Sequence, residues 1–139
     1  MDVEQLLKAL ENEENSKFLN LTTKKINEMK VEILSELHLS KEEIKNLIQR
    51  LKEYAYVDEM NELRYGAFIR WIPIKDPDNV HLTPGGILCE INVTDNGVHI
   101  TCKNFAHKHY RIKMDECLIF QKLTSQEQVL LYALDHLAK

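Results

Sequence analysis

No stretch of this chain approaches the roughly 18–20 consecutive apolar residues that a membrane-spanning helix needs, so no membrane partner is expected. Glycine and proline are scarce, with four and three in 139 residues, which excludes a collagen-like, linker-like or low-complexity chain. Cysteine is also scarce. Cys89, Cys102 and Cys117 are odd in number and show no Cys-x-x-Cys spacing. A disulfide scaffold is thereby excluded, and free thiols in a reducing compartment are expected. The opening Met-Asp-Val-Glu-Gln is acidic and amphipathic and does not read as a signal peptide, so the expected location is cytoplasmic. Catalytic patterns are missing too. Gly85-Gly86 lacks the Lys-Ser/Thr that would complete a phosphate-cradling loop. No Ser-His-Asp or Cys-His set is implied locally, and all three thiols sit in apolar segments, where thiols are usually inert. The reading is a non-enzymatic protein with no cofactor and no small-molecule substrate.

What is present is enough for a core. Apolar residues make up 44% of the chain, and its length suits one compact unit. Charge is uneven. Residues 1–62 carry 14 acidic and 9 basic side chains, and residues 63–139 carry 8 and 9. Between Val98 and Lys113 lie four basic residues, three histidines and no acid. A locally basic strip on a mildly acidic protein is a sharper clue than the total.

The segment from Gly85 to Lys103 reads as a β-hairpin. Asn96-Gly97 is the strongest short hairpin signal, because both residues tolerate positive φ. Placing them as the loop pairs Asp95 with Val98, Val93 with Ile100, Ile91 with Cys102 and Glu90 with Lys103. Ile87, Cys89, Ile91, Val93, Ile100 and Cys102 then share one apolar face.

Before the hairpin the apolar period is helical. Residues 3–11 form a short helix with Leu6, Leu7 and Leu10 on one side, and Asn12 to Asn20 is a polar loop. Thr22 or Thr23 caps a second helix running to about Leu37. Ser40-Lys-Glu-Glu43 is a capping box opening a third, with Ile44, Leu47, Ile48 and Leu51 as its stripe. From Leu63 the period becomes two. Residues 67–74, 109–114 and 117–122 read as strands, with Pro73 at an end or edge. Thr124-Ser-Gln-Glu127 is a second capping box, opening a last helix with Leu130, Leu131, Leu134 and Leu137 buried.

The expected class is α+β: about three N-terminal helices as a helical region over 1–60, a small five-stranded antiparallel SH3-like or Tudor-like barrel over 61–123, and a closing C-terminal helix over 124–139. An OB-type barrel ranks second. A wing-extended winged helix ranks third, because Glu42, Glu43 and Glu53 offset Lys41, Lys45, Arg50 and Lys52 on the helix that would have to meet phosphate.

The segments Asp58-Glu-Met-Asn-Glu-Leu-Arg-Tyr-Gly-Ala-Phe-Ile-Arg-Trp-Ile72, Leu82-Thr-Pro-Gly-Gly-Ile-Leu88 and Ile119-Phe-Gln-Lys-Leu-Thr124 resemble small proteins encoded by large nucleocytoplasmic DNA viruses. The likeness spans roughly residues 37–137. It implies a viral-factory or virion setting in the host cytoplasm and transfers no active-site residue.

The leading functional candidate is the strip Lys103, Phe105, Lys108, His109, Arg111 and Lys113. Basic side chains there would neutralise phosphate, and aromatic rings would offer stacking surfaces. The bland alternative is an ordinary solvated face. The partner implied is nucleic acid or nucleoprotein. A second candidate is a protein-binding patch of Tyr65, Phe68, Arg70 and Tyr110, fitting an adaptor or a self-associating component of a viral assembly. Trp71 is expected in the core and Arg70 beside an acid. Cys89 and Cys102, expected as inward-facing thiols, fit no usual zinc spacing even with His81, His107 or His109 added.

Overall fold

The computed structural model describes residues 3–11 and 22–137. The polar stretch read from Asn12 to Asn20 lies outside them, as do the side chains of Leu6 and Leu10. Four helices and six strands follow in the order α1 (Val3–Glu11), α2 (Thr23–Ser35), α3 (Lys41–Arg50), β1 (Tyr54–Val57), β2 (Phe68–Pro73), β3 (Gly86–Thr94), β4 (Gly97–Lys103), β5 (His109–Lys113), β6 (Cys117–Lys122) and α4 (Ser125–Leu137). The strands form one antiparallel sheet ordered β1-β6-β2-β3-β4-β5.

The expected closed five-stranded barrel is therefore wrong. The sheet has six strands and stays open, because β5 pairs only with β4 and β1 only with β6. It does curl. In a flat sheet β5 and β6, four strand spacings apart in the order, would lie ~19 Å from each other. Only residues 114–116 join them, and the chain from Lys113 to Cys117 reaches at most about 14 Å. The two halves must bend toward each other, and the bend falls where β2 and β3 share just two residue pairs, Phe68 with Ile87 and Ile69 with Gly86. Gly85 makes that approach possible. It adopts φ +88, and a Cβ there would stand 2.2 Å from the Ile69 carbonyl oxygen.

Curling gives the sheet an inner and an outer face, each with its own core. Inside lie Val57, Leu63, Ile69, Trp71, Leu88, Ile100, Cys102 and Ile119, drawn from both halves. Outside, α2 and α3 cover only the β1-β6-β2 half, packing Leu34, Leu47 and Leu51 onto Ile72, Leu82, Leu118 and Phe120. Both helices start as their sequences direct. Thr22 accepts the Lys25 amide at 3.2 Å, and Ser40 accepts the Glu43 amide at 3.2 Å. The helices do not divide into an N-terminal trio and a C-terminal closer. Instead α1 packs against α4, from the opposite end of the chain.

The hairpin register is also corrected. Thr94 faces Gly97, Val93 faces Val98 and Ile91 faces Ile100, so Asp95-Asn96 is the loop and Gly97 follows it. Only Gly97 takes positive φ there, which removes the reason for placing Asn96-Gly97 at the centre. The register shifts between Leu88 and Glu90, leaving Cys89 as an extra, bulged residue. Leu88 thus turns inward at 1% exposure, whereas Ile87 is 42% exposed, Val93 is exposed, and Lys103 faces Ile87 rather than Glu90.

Lys30 is wholly buried on α2, its Nζ donating to the Leu51 carbonyl at 2.9 Å. Burial holds its pKa below the usual 10.5. The unfolded chain therefore binds more protons between the lowered value and 10.5, and the protein gains stability as pH rises through that window. The Leu51 carbonyl also accepts the Tyr54 amide at 3.0 Å, so it keeps a partner without the lysine. Lys30→Met is expected to raise the unfolding free energy by about 1 kcal/mol at neutral pH. Urea denaturation at a series of pH values checks this, with the advantage shrinking toward high pH.

Candidate nucleic-acid interface

The β4–β5 ladder orders the site. Lys103 pairs with His109, Thr101 with Arg111 and His99 with Lys113. Partners in a ladder share a face, and the alternating residues Ile100 and Cys102 point inward. His99, Lys103, His109, Arg111 and Lys113 therefore stand together on the outer face of β4 and β5. No described helix covers this half of the sheet. On β3 the same face adds Ile87, Glu90 and Asn92, with Glu90 accepting the Asn92 side-chain amide at 3.0 Å.

Phe68 faces Ile87 across the β2–β3 join, and Arg70, two residues on, lies opposite Phe120 on the helix-covered half of the same outer face. Phe105 folds back from the β4–β5 loop onto Phe68, with ring centroids 5.8 Å apart and planes 23° from parallel. The outer face thus runs from a basic ladder, past an aromatic pair, to an arginine at the edge of the helical cover. Arg70 does not meet an acid as expected. Its Nε donates to the Thr83 carbonyl at 2.9 Å, and it forms no ion pair among the described residues. Burial lowers its pKa, and the nearby Arg50 lowers it further.

The two candidate patches redistribute. Lys103, Phe105, His109, Arg111 and Lys113 converge on the outer face and are joined by Phe68. Lys108 does not join them. Its Nζ lies 5.3 Å from the ring centroid of Tyr110, and Tyr110 is opposite Cys102 on the inner side. Lys113 is partly neutralised by Asp115 at 3.8 Å. Tyr65 is exposed in the turn before β2, and Phe68 and Tyr110 lie on opposite faces of the sheet. The proposed cluster of Tyr65, Phe68 and Tyr110 is therefore not formed. His99 was missed. Its signal was the five-residue loop 104–108, which sets Lys103 opposite His109 and so brings His99 opposite Lys113.

The thiols also sort differently from expectation. Cys89 is exposed at the bulge, and all three are free. Burial, with the neighbouring Cys89, pushes Cys102 up to about 12. Burial, with Glu116 and Asp115, pushes Cys117 up to about 11. A thiol reagent at about pH 8 should modify Cys89 alone in the native protein and the other two only on denaturation. Prompt reaction of a second thiol, mapped by mass spectrometry, would contradict the placement of Cys102 or Cys117.

Comparison with family models, curated proteins and solved structures found no match. Among the described residues, no helix is long and apolar enough to cross a membrane, and no group of three or more His, Cys, Asp or Glu is placed to hold a metal ion.

Proposed function

We propose that the protein is a non-enzymatic binding module that associates with nucleic acid or nucleoprotein through the outer face of β4 and β5. The observation that carries this reading is the ladder register, which sets Lys103, Arg111 and Lys113 with His99 and His109 on one uncovered face. Phosphate binding by such a face rests on release of counterions, so it weakens steeply with salt. The exposed side of α3 is a poorer candidate, because Glu42 and Glu43 stand among its lysines.

Fluorescence anisotropy with labelled oligonucleotides tests the proposal. If about four phosphates are neutralised, affinity should fall roughly a hundredfold between about 50 and about 200 mM salt. The double variant Lys103→Glu, Arg111→Glu should lose most of the binding at the lower salt. Absence of salt-dependent binding, or a double variant that binds like the wild type, removes the proposal. The free edge of β5 supports a second reading, in which a protein partner adds a further strand there. Concentration-dependent self-association without oligonucleotide binding would favour that one.

A further inference from the structure

The outer face offers more than charge. Phe105 is 85% exposed, an unfavourable setting for a phenylalanine, yet it is held in place. Asn104 fixes the loop, its side-chain oxygen accepting the Ala106 amide at 3.0 Å and the Lys108 amide at 2.9 Å. Its backbone amide donates to the Lys108 carbonyl at 3.0 Å, and the His107 amide donates to the Asn104 carbonyl at 3.0 Å. His107 closes the loop at φ 61, a conformation that costs a non-glycine residue energy. Phe68 supports the inner side of the Phe105 ring. Gly85 leaves room for the Phe68 ring, since a Cβ there would come within 3.1 Å of its Cε1. The result is a two-ring pedestal whose outer side is open, with Ile87 half-exposed on the same face and Lys103 directly opposite Ile87 in the ladder.

We propose that the ligand of this face is a single-stranded nucleic acid and that one of its bases stacks on Phe105. The inference rests on the nucleic-acid reading above and narrows it. Bases in a duplex are already stacked on one another and cannot reach the ring. An unpaired base can, and a ring that is already positioned loses little conformational freedom when it is covered. Lys103 then meets the phosphate backbone beside the stacked base, with Arg111 further along the ladder.

The test compares single-stranded DNA and RNA with a duplex of the same length, using the wild type, Phe105→Ala and Phe105→Tyr. Phe105→Ala should weaken single-strand binding roughly 5- to 150-fold, the range for loss of one stacked base. Duplex affinity should change less than about twofold, since phosphate contacts alone serve it. Phe105→Tyr, which keeps the ring, should restore single-strand binding. Circular dichroism confirms that each variant is folded, as expected at so exposed a site. If Phe105→Ala binds single strands like the wild type, or loses single strand and duplex equally, the stacking role is wrong while the broader reading stands. If the wild type binds neither form, both fall.

Discussion

Glu127→Ala should lower the unfolding free energy by about 3–5 kcal/mol, the cost of breaking a buried ion pair by removing one partner. Glu127 is 1% exposed, and its Oε2 lies 2.9 Å from Arg64 Nη1. Its Oε1 accepts the Thr124 amide at 2.8 Å while the Thr124 hydroxyl oxygen accepts the Glu127 amide at 3.0 Å, so the carboxylate also caps α4. Arg64 extends the network. Its amide donates to Gln121 Oε1 at 2.9 Å, and Gln121 Nε2 donates to the Glu62 carbonyl at 3.0 Å. The network thus joins the loop before β2, the C-terminal end of β6 and the start of the last helix. The Arg64 side chain is 27% exposed, so water can partly solvate it once the acid is gone, which moves the expected loss toward the lower end. Glu127→Gln keeps an acceptor for the Thr124 amide and should lose less. Urea denaturation of both variants measures this. A loss under about 1 kcal/mol for the alanine variant would mean the network is solvated and contributes little.

That network shows where sequence reading succeeds and where it stops. Thr124 and Glu127 are three residues apart, and the capping box they form is legible because its chemistry is local. Arg64 is far from Glu127 along the chain, and nothing in either neighbourhood announces the pair. The strands follow the same division. Alternation along His109 to Lys113 separates Arg111 and Lys113 from Tyr110 and Ile112 without help from tertiary structure. The hairpin register failed by two residues because two overlapping turns, 94–97 and 95–98, compete and both place Gly97 at or beside the loop. The bulge at Cys89 then reversed the inside and outside of Ile87 and Leu88, which a strict period of two cannot anticipate. Tyr54–Val57 is only four residues long and follows a helix directly, too short for any alternation to stand out. Counting that strand would have given six, and the open order with β6 between β1 and β2 comes from pairings between residues more than 40 apart. The candidate site was legible in composition, as a run of basic residues with no acid. Its geometry was not, because Phe68 and Phe105 meet only through the β2–β3 join.

The same join makes Trp71 the side chain whose loss should be felt most widely. Trp71→Ala is expected to cost about 3–5 kcal/mol, as truncation of a large buried aromatic does. Backbone pairing between β2 and β3 is limited to two residue pairs, extended by the bonds of Leu88 to Gly66 and Ala67, so side chains packed across the inner face carry much of the contact between the halves of the sheet. Trp71, opposite Ile119 on the β6 side, is the largest member of that inner cluster. Its backbone is engaged as well, donating to the Thr83 hydroxyl at 3.2 Å and accepting the Thr83 amide at 3.0 Å. Alanine would keep those bonds and remove only the indole, so the loss reports on packing. Against the 5–15 kcal/mol that folds a typical domain, this leaves a marginal protein with a melting temperature lower by roughly 10–20 °C. Phe105→Ala supplies the contrast, since an exposed ring should cost no more than about 0.5 kcal/mol. Thermal melts of the two variants separate core from surface. Equal losses would mean either that the halves of the sheet do not depend on Trp71 or that Phe105 is part of what holds them together.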